Sequence, residues 1–266
     1  MLDIEPTAAV LVDLFGSGRS APLLTATHPT LDLPTAYQIA DAVRRRRLDR
    51  DGQVLGRKIG FTNHRMWEKY AVKAPIWGYM YQSTVRHVGD EDHVSLSGFP
   101  EPKIEPEIVF GLGATPGPGM GEAELLGCID WVALGFELVS SIYAGWQFQP
   151  ADAVAAYGVH FALRVGARIP VRTDDWMRSL GSFRLGLFRN GNWVTDGSGA
   201  DVLGSPLSAL RHLNDLLSDP AFGPPLTAGE IISTGTLTLA MDASPGDEWR
   251  AEPVGVALPS ITIRLT

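Results

Sequence analysis

The spacing of hydrophobic residues changes part-way along the chain, from a helical period to a strand period. Apolar residues recur every three or four positions over residues 8–15, which predicts a first helix. Thr35, with a glutamine three residues later, has the spacing of a capping box and predicts the start of a second helix. Beyond that helix, short alternating segments separated by Gly and Pro predict strands. We therefore expect a helical region over residues 1–53, packed on a body over residues 54–266.

Strand patterns make up most of the predicted body. An Asn190-Gly191 pair between two of the strands predicts a tight hairpin turn, and Ser205-Pro206 predicts the start of a helix. Strands and helices do not alternate as they do in βαβ units, so the expected fold class is α+β with a predominantly β body. The predicted strands are residues 55–61, 103–110, 131–141, 161–171, 183–188, 193–195, 230–241 and 254–265.

Composition and charge limit the kinds of partner. The net charge of −8 argues against nucleic acid, because phosphate binding requires a basic surface. Arg44 to Arg47 form the one basic run, at a predicted helix end that we expect to be solvated. No apolar run reaches the roughly 20 residues of a membrane span. The single Cys128 predicts a buried thiol in a reducing compartment. We expect a cytoplasmic protein without a nucleic-acid or membrane partner.

Three glutamates have the placement of metal ligands. Side chains alternate along a strand, so Glu105 and Glu107 share one face of their strand, about 7 Å apart at a rise of about 3.3 Å per residue. Glu137 faces away from the apolar side of the next predicted strand and is flanked by small residues. Clustered carboxylates attract a divalent cation, and an all-oxygen ligand set favours Mg²⁺ or Mn²⁺ over zinc. The alternative is a solvated strand face.

Lys58 is the candidate cation of the same region. It shares a strand face with Gly56 and Gly60, whose lack of side chains would let a ligand approach closely. An ammonium there could bind a substrate carboxylate or polarise an oxo group. An ordinary surface lysine is the alternative.

Six segments form a specific pattern when they are taken together in their order and spacing. These are Gly56-Arg-Lys-Ile-Gly-Phe-Thr62, Pro102-Lys-Ile-Glu-Pro-Glu-Ile-Val-Phe110, Phe136-Glu137, residues 146–166, Leu203-Gly-Ser-Pro-Leu-Ser-Ala-Leu210 and Ile232-Ser-Thr-Gly-Thr236. Over nearly the whole chain they resemble the fumarylacetoacetate hydrolase superfamily. Within it, the chain is similar to the branch of 2-keto-4-pentenoate hydratases and 4-oxalocrotonate decarboxylases.

The resemblance implies a mixed β-roll body and a metal-dependent enzyme. It implies Mg²⁺ or Mn²⁺ on Glu105, Glu107 and Glu137, with Lys58 near a bound 2-oxo acid. A metal chelated by the carboxylate and the 2-oxygen of the substrate would act as a Lewis acid and stabilise an enolate. Such proteins are commonly homo-oligomers, dimers or larger, and some are thought to work beside a pathway partner enzyme. Residues implied to line the substrate pocket are Lys58, Gly60, Ile76, Thr234, Gly235 and Thr236.

The reaction expected first is hydration of 2-hydroxypenta-2,4-dienoate-type compounds in the catabolism of aromatic compounds. Many hydratases of this branch have an acidic residue where this chain has Ile76, which favours the alternative, a decarboxylase of 4-oxalocrotonate-type 2-oxo acids. A C–C hydrolase would use a His-Glu pair to activate water. His64 and Glu68 have the helical spacing for such a pair but follow the Lys58 segment, where the family lid does not lie. A non-catalytic binding subunit is the last alternative.

Asp152 and His160 are the remaining catalytic candidates. Asp152 could orient Lys58 or a water molecule, or it could cap the helix predicted after it. His160 could contact substrate or act as acid or base, or it could be a core histidine with satisfied hydrogen bonds. The sequence leaves both pairs of alternatives open.

Overall fold

Three helices lie between residues 4 and 51, and further helices occur between the strands that follow. The computed structural model describes residues 2–89, 92–171 and 175–266. The helices are α1 Ile4–Leu14, α2 Leu24–Thr27, α3 Leu33–Asp51, α4 His64–Tyr70, α5 Glu122–Leu126, α6 Pro150–Ala155, α7 Asp175–Ser182 and α8 Pro206–Leu216. No helix within the described ranges has the length and apolar character to span a bilayer.

Within the described residues the strands form two sheets, which makes the fold α+β as predicted. The larger sheet has the order β2-β1-β11-β5-β6-β7-β3, with β12 paired to β5 and β8 to β6, and the smaller has the order β10-β9-β13-β14-β4. The strands are β1 Val54–Gly60, β2 Ile76–Tyr81, β3 Val85–His87, β4 His93–Val94, β5 Lys103–Leu112, β6 Ile129–Val139, β7 His160–Val165, β8 Ile169–Pro170, β9 Arg184–Arg189, β10 Asn192–Ser198, β11 Ile231–Thr236, β12 Met241–Asp242, β13 Glu248–Val254 and β14 Ile261–Leu265.

Several elements lie outside the segments that the sequence predicted. They are the strands β2, β3 and β4, β13 except for its last residue, and the helices α2, α4, α5 and α7. All six residues of β2 are buried, so its sequence has no polar alternation to mark it as a strand. The hairpin turn at Asn190-Gly191 is confirmed, with φ of 52° and 77°. The helix predicted after Ser205 is also confirmed, and the Ser205 side chain accepts from the backbone N–H of Ser208.

Helix α3, the second helix that the sequence predicted, begins earlier than expected. Asp32, not Thr35, is its N-cap, and the Asp32 side chain accepts from the Thr35 N–H at 2.9 Å. Pro34 suits the first turn, where its missing N–H costs no hydrogen bond. The prediction that the whole Arg44 to Arg47 run is solvated was wrong, because Arg47 is 0 % exposed. Its guanidinium lies 3.8 Å from the centre of the Phe15 ring, where α1 packs on α3.

The long antiparallel pair β5–β6 is the centre of the larger sheet. Its register places Glu105 opposite Glu137 and Glu107 opposite Gly135. The alternate residues of both strands are buried in the hydrophobic core, and Ile104, Ile108 and Phe136 among them are 0 % exposed. The same core includes residues of α1 and α3, so the N-terminal helices cover apolar surface that the sheets alone would expose.

Candidate metal centre

Five adjacent strands each contribute a polar group to one face of the larger sheet. In the order of the sheet, Lys58 lies on β1, Ser233 on β11, Glu107 on β5, Glu137 on β6 and His160 on β7. Lys58 and Ser233 are directly paired across β1 and β11. These residues are at most 3 % exposed. Their assembly depends on strand order and on the alternation of side chains, both of which place them on the same side of the sheet.

Three carboxylates meet at this position. Glu105, Glu107 and Glu137 each offer an oxygen atom, and these atoms lie within 4.8 Å of one another. We refer to Glu105, Glu107 and Glu137 as the carboxylate cluster. The structure thus brings together the three residues that the sequence singled out as candidate metal ligands.

Glu107 and Glu137 are held in the same way, each by one of its two oxygens. Glu107 Oε2 accepts from the Ser233 hydroxyl and from the Gly235 N–H, the latter at 2.9 Å. Glu137 Oε1 lies 2.8 Å from His160 Nδ1. Among the described residues, the other oxygens, Glu107 Oε1 and Glu137 Oε2, have no hydrogen-bond partner although both are buried. A buried acceptor without a donor is costly, so both oxygens are arranged for a ligand.

Burial raises the pKa values of the whole carboxylate cluster. It raises the pKa of Glu105 to about 8, despite the opposing charge of Lys58. The pKa of Glu107 is raised well above its ordinary value by burial and by the neighbouring Glu137. Burial also raises the pKa of Glu137. Ionisation of all three carboxyl groups is therefore costly unless further positive charge is present, and a divalent cation would supply it.

Lys58 is a buried ion-pair partner, not a surface lysine. Its Nζ lies 3.3 Å from Glu137 Oε2 and donates to the Gly158 carbonyl oxygen at 3.0 Å. Burial alone would lower the pKa of Lys58, but the carboxylate cluster raises it above its ordinary value. Lys58 is therefore a cation at neutral pH.

A left-handed turn before β7 positions both Gly158 and His160. Tyr157, Gly158 and Val159 have φ of 63°, 62° and 59°, and such values strain the two that have side chains. The turn packs directly on β2, where a Cβ added to Gly78 would lie 2.5 Å from the Tyr157 carbonyl oxygen. This close packing holds the strained turn in place. It presents the Gly158 carbonyl to Lys58 and starts β7 with His160 beside Glu137.

The residues implied as a substrate pocket divide into two groups. Gly60 and Ile76 are paired across β1 and β2, and a Cβ on Gly60 would lie 3.2 Å from Ile76 Cγ1 and 3.7 Å from Lys58 Nζ. They therefore border the space next to the ammonium. Gly235 contacts Glu107 through its N–H, whereas the Thr234 hydroxyl donates to the Ile108 carbonyl oxygen at 2.8 Å.

Thr236 lies at the end of β11, and its hydroxyl accepts from the Thr238 N–H. Because both threonine hydroxyls are engaged with backbone, Gly235 is the residue among Thr234, Gly235 and Thr236 that contacts the carboxylate cluster. A bulge in β11 between Ser233 and Thr236 turns its N–H towards Glu107.

Asp152 does not orient Lys58, so this expectation needs correction. The Asp152 carboxylate accepts from the Thr25 N–H (2.9 Å), the Thr25 hydroxyl (2.6 Å) and the Gln149 N–H (3.0 Å). It belongs to the first turn of α6, in which Gln149 is the N-cap. Asp152 thus closes a capping box and ties α6 to α2, close to the helix-capping alternative.

His160 is buried with both ring nitrogens engaged, one by Glu137 and the other by the Thr84 hydroxyl at 2.9 Å. The sequence named His160 but gave no sign of Thr84 or Ser233. Ser233 lay within a segment that the sequence had singled out, and strand alternation places it on the same face as Gly235. Thr84 lies in the turn between β2 and β3, far from the other residues in sequence, and no local pattern marks it.

Comparison with known proteins places this arrangement in a family. The family described as fumarylacetoacetate (FAA) hydrolase C-terminal matches residues 57–260. The chain belongs to this family. The match begins beside Lys58 and includes all residues of the carboxylate cluster.

Two similar proteins carry the two activities of the predicted branch. A 2-hydroxyhexa-2,4-dienoate hydratase of Comamonas testosteroni is 30% identical over 97% of this chain and 96% of its own length. A 4-oxalocrotonate decarboxylase of Pseudomonas putida is 32% identical over 84% of this chain and 83% of its own length. The predicted family and branch are confirmed.

A solved family member has the same fold. The 4-oxalocrotonate decarboxylase from Pseudomonas putida G7, in complex with magnesium and adipate, superimposes with a TM-score of 0.89 at 26% identity. The superposition covers 100% of this chain and 99% of that chain, so it includes the N-terminal helices. The predicted α+β family fold is confirmed.

Proposed function

We propose that this protein is a divalent-metal-dependent lyase that acts on small 2-oxo or 2-hydroxydienoic acids. The observation that carries the proposal is the pair of buried oxygens, Glu107 Oε1 and Glu137 Oε2, which lie beside Glu105. Within the described ranges neither oxygen has a hydrogen-bond partner, and the Lys58 ammonium lies in ion-pair contact with Glu137 Oε2 at 3.3 Å. Oxygen donors alone favour Mg²⁺ or Mn²⁺ over zinc. The magnesium and adipate bound to the solved decarboxylase support both the metal and an acidic substrate.

The carboxylate cluster would hold the cation, and Lys58 would bind the substrate. When bound, a divalent cation supplies a Lewis acid for the carboxylate and 2-oxo oxygens of the substrate. Lys58 has three N–H bonds, of which one is donated to the Gly158 carbonyl oxygen, and its ammonium forms an ion pair with Glu137. A remaining N–H can donate to a substrate oxygen in the space bordered by Gly60 and Ile76.

Hydration is the first candidate reaction. It requires a proton at a conjugated carbon, and Lys58 is the group that can hold this proton at its Nζ. Both nitrogens of His160 and both oxygens of Asp152 are already engaged. We therefore assign the proton to Lys58 and not to His160 or Asp152.

Decarboxylation is the second candidate, and Ile76 favours it. Ile76 is 2 % exposed and presents an aliphatic side chain beside Gly60 and Lys58, so it can carry no proton there. Loss of carbon dioxide leaves an electron pair on the 2-oxo system and needs no proton from the protein in that step. An apolar wall is compatible with this reaction.

The two reactions can be separated by their products. Purified protein with Mg²⁺ should remove the ultraviolet absorbance of 2-hydroxypenta-2,4-dienoate if it is a hydratase. It should release carbon dioxide from 4-oxalocrotonate if it is a decarboxylase. Protein stripped of metal with a chelator is the control and should be inactive on both. Inactivity of the Mg²⁺-loaded protein on both substrates would contradict the proposed class.

We further propose that the protein is a cytoplasmic homo-oligomer, a dimer or larger. Support comes from large hydrophobic side chains that are exposed in the single chain, among them Trp193 at 61% and Leu239 at 80%. Exposed side chains of this kind often lie in contacts between subunits. Light scattering coupled to size-exclusion chromatography should give at least twice the mass of one chain, and the mass of a monomer would contradict the proposal.

A further inference from the structure

His160 connects the carboxylate cluster to a turn on the far side of β7. It is 1 % exposed, and its ring lies between Glu137 Oε1, 2.8 Å from Nδ1, and Thr84 Oγ1, 2.9 Å from Nε2. Thr84 is itself buried, and its oxygen accepts from the Tyr81 N–H at 3.1 Å. The three side chains therefore form a continuous chain of hydrogen bonds that ends in the cluster.

The positions of the protons in this chain follow from the acceptors. A carboxylate that ligates a cation is ionised and has no proton to donate, so its contact with His160 requires a proton on Nδ1. Nε2 lies 2.9 Å from Thr84 Oγ1. With the ring proton on Nδ1, Nε2 is a bare acceptor, and the Thr84 hydroxyl donates to it. The hydroxyl has one competing acceptor, the Tyr81 carbonyl oxygen, at the longer distance of 3.2 Å.

We infer that Thr84 and His160 are positioning residues that fix one oxygen of Glu137 so that the other faces the cation site. The hydroxyl of Thr84 selects the His160 tautomer with the proton on Nδ1, and this proton holds Glu137 Oε1. The inference rests on the proposed metal site. Both ring nitrogens of His160 and the Thr84 hydroxyl are engaged in this chain of hydrogen bonds, so their effect passes through Glu137.

Holding Oε1 matters because Lys58 competes for the same carboxylate. Lys58 Nζ is already 3.3 Å from Glu137 Oε2. A carboxylate released by His160 could rotate and give both oxygens to the ammonium, which would remove a ligand from the cluster. Glu107 is protected from such rotation in a comparable way, by the Ser233 hydroxyl and the Gly235 N–H. Both carboxylates thus have an oxygen fixed by the protein and an oxygen directed to the site.

Paired substitutions distinguish the loss of a proton donor from a change in side-chain size. In His160→Asn the amide nitrogen can replace Nδ1, whereas in His160→Gln it replaces Nε2 and leaves Glu137 without its donor. Thr84→Ser keeps the hydroxyl, and Thr84→Val removes it. Calorimetry with Mn²⁺ should give losses of affinity of about 10–100-fold for His160→Gln and Thr84→Val, the range for groups that orient a metal ligand. The Asn and Ser variants should lose less.

Folding and tautomer are measured independently of metal affinity. Circular dichroism and thermal melting identify any variant that is merely unfolded, and the Asn and Ser variants remain informative if the others unfold. In ¹⁵N-labelled wild type, nuclear magnetic resonance should find His160 with a protonated Nδ1 and a bare Nε2. Thr84→Val should shift the proton towards Nε2.

Two results would overturn the inference. One is a proton on Nε2 and none on Nδ1 in the wild type, and the other is equal Mn²⁺ affinity in His160→Gln and His160→Asn. A wild type that binds no Mn²⁺ would refute the proposed metal function. In that case the tautomer spectrum of the metal-free protein still decides whether Thr84 sets the His160 proton.

Discussion

Arg57 and Lys58 are neighbours on β1, yet they show two different uses of buried charge. Both are 3 % exposed, and strand alternation places them on opposite faces of the sheet. Arg57 donates to the carbonyl oxygens of Pro224 (2.6 Å) and Pro225 (2.9 Å), and its Nε lies 3.1 Å from Glu230 Oε2. Its charge is therefore matched by one carboxylate and by backbone acceptors.

Lys58 lies on the face where negative charge is in excess. It is paired with Glu137, while Glu105 and Glu107 add two further carboxylates. Desolvation makes such an excess costly, and packed hydrophobic residues would stabilise the fold better. The comparison teaches that buried charge alone does not indicate function. The matched pair, Arg57 and Glu230, holds loops together, whereas the unmatched carboxylate cluster indicates a place for a cation.

The largest effect is expected for Glu107→Gln, which removes one charge from the unmatched cluster. It should lower Mn²⁺ affinity by more than about 100-fold, since the loss of a ligand should exceed that of a group that only orients one. The metal-free variant should melt at a higher temperature than metal-free wild type, because repulsion within the cluster is relieved. Calorimetry and thermal melting measure the two effects. Unchanged Mn²⁺ affinity would show that Glu107 is not a ligand.

The unmatched cluster should also make the metal-free protein sensitive to pH. The pKa of Glu105 is raised from 4.5 to about 8, so the folded state binds this proton more tightly than the unfolded state does. Stability from this group is fully present below about pH 4.5 and is lost as the pH rises towards 8. The melting temperature of the metal-free protein should fall as the pH rises across this window. The increase in melting temperature that Mn²⁺ causes should become larger over the same range. A rise on adding Mn²⁺ that is the same at both ends of the window would contradict this explanation.

The Arg57–Glu230 pair should respond to a Glu-to-Gln substitution in the opposite way from the carboxylate cluster, by losing stability. Glu230→Gln removes the counterion of Arg57 and should destabilise the protein by about 2–3 kcal/mol. This is below the range for fully buried pairs, because the Glu230 side chain is 14% exposed and two carbonyls still hold Arg57. Denaturant titration measures the loss. Mn²⁺ affinity should be unchanged, and a loss comparable to that of Glu107→Gln would remove the distinction between the two faces.

The sequence predicted the cluster because its signal is local. Glu105 and Glu107 are two positions apart, so strand alternation alone places them together, and Glu137 needed only the pairing of two long strands. The remainder depends on contacts that no local pattern encodes. Asp152 is 127 residues from its partner Thr25, and the strained turn that delivers His160 is held by packing on Gly78.

The burial of Arg47 was missed for a related reason. A run of four arginines on a helix predicts a solvated surface, and its neighbours do pair with acidic residues there. The tertiary packing of Phe15 and Tyr81, whose ring centres lie 3.8 and 4.2 Å from the Arg47 guanidinium, helps to distinguish this arginine from the other three. The general pattern was informative, but the exception depended on the fold.

The smallest effect is expected for Asp152→Asn. This variant tests whether the buried Asp152 carboxylate is structural, like the Arg57–Glu230 pair, or functional, like the carboxylate cluster. Its oxygens already accept three hydrogen bonds from Thr25 and Gln149, so an amide would lose acceptor capacity and cost about 1–2 kcal/mol of stability. Thr25→Val removes a partner and should cost a similar amount. The turnover number, measured where each variant is folded, should equal that of the wild type. A fall in the turnover number for Asp152→Asn but not for Thr25→Val would mean that Asp152 takes part in the reaction although its oxygens already have hydrogen-bond donors. The balance of charge around a buried group would then not distinguish structural from functional groups in this protein.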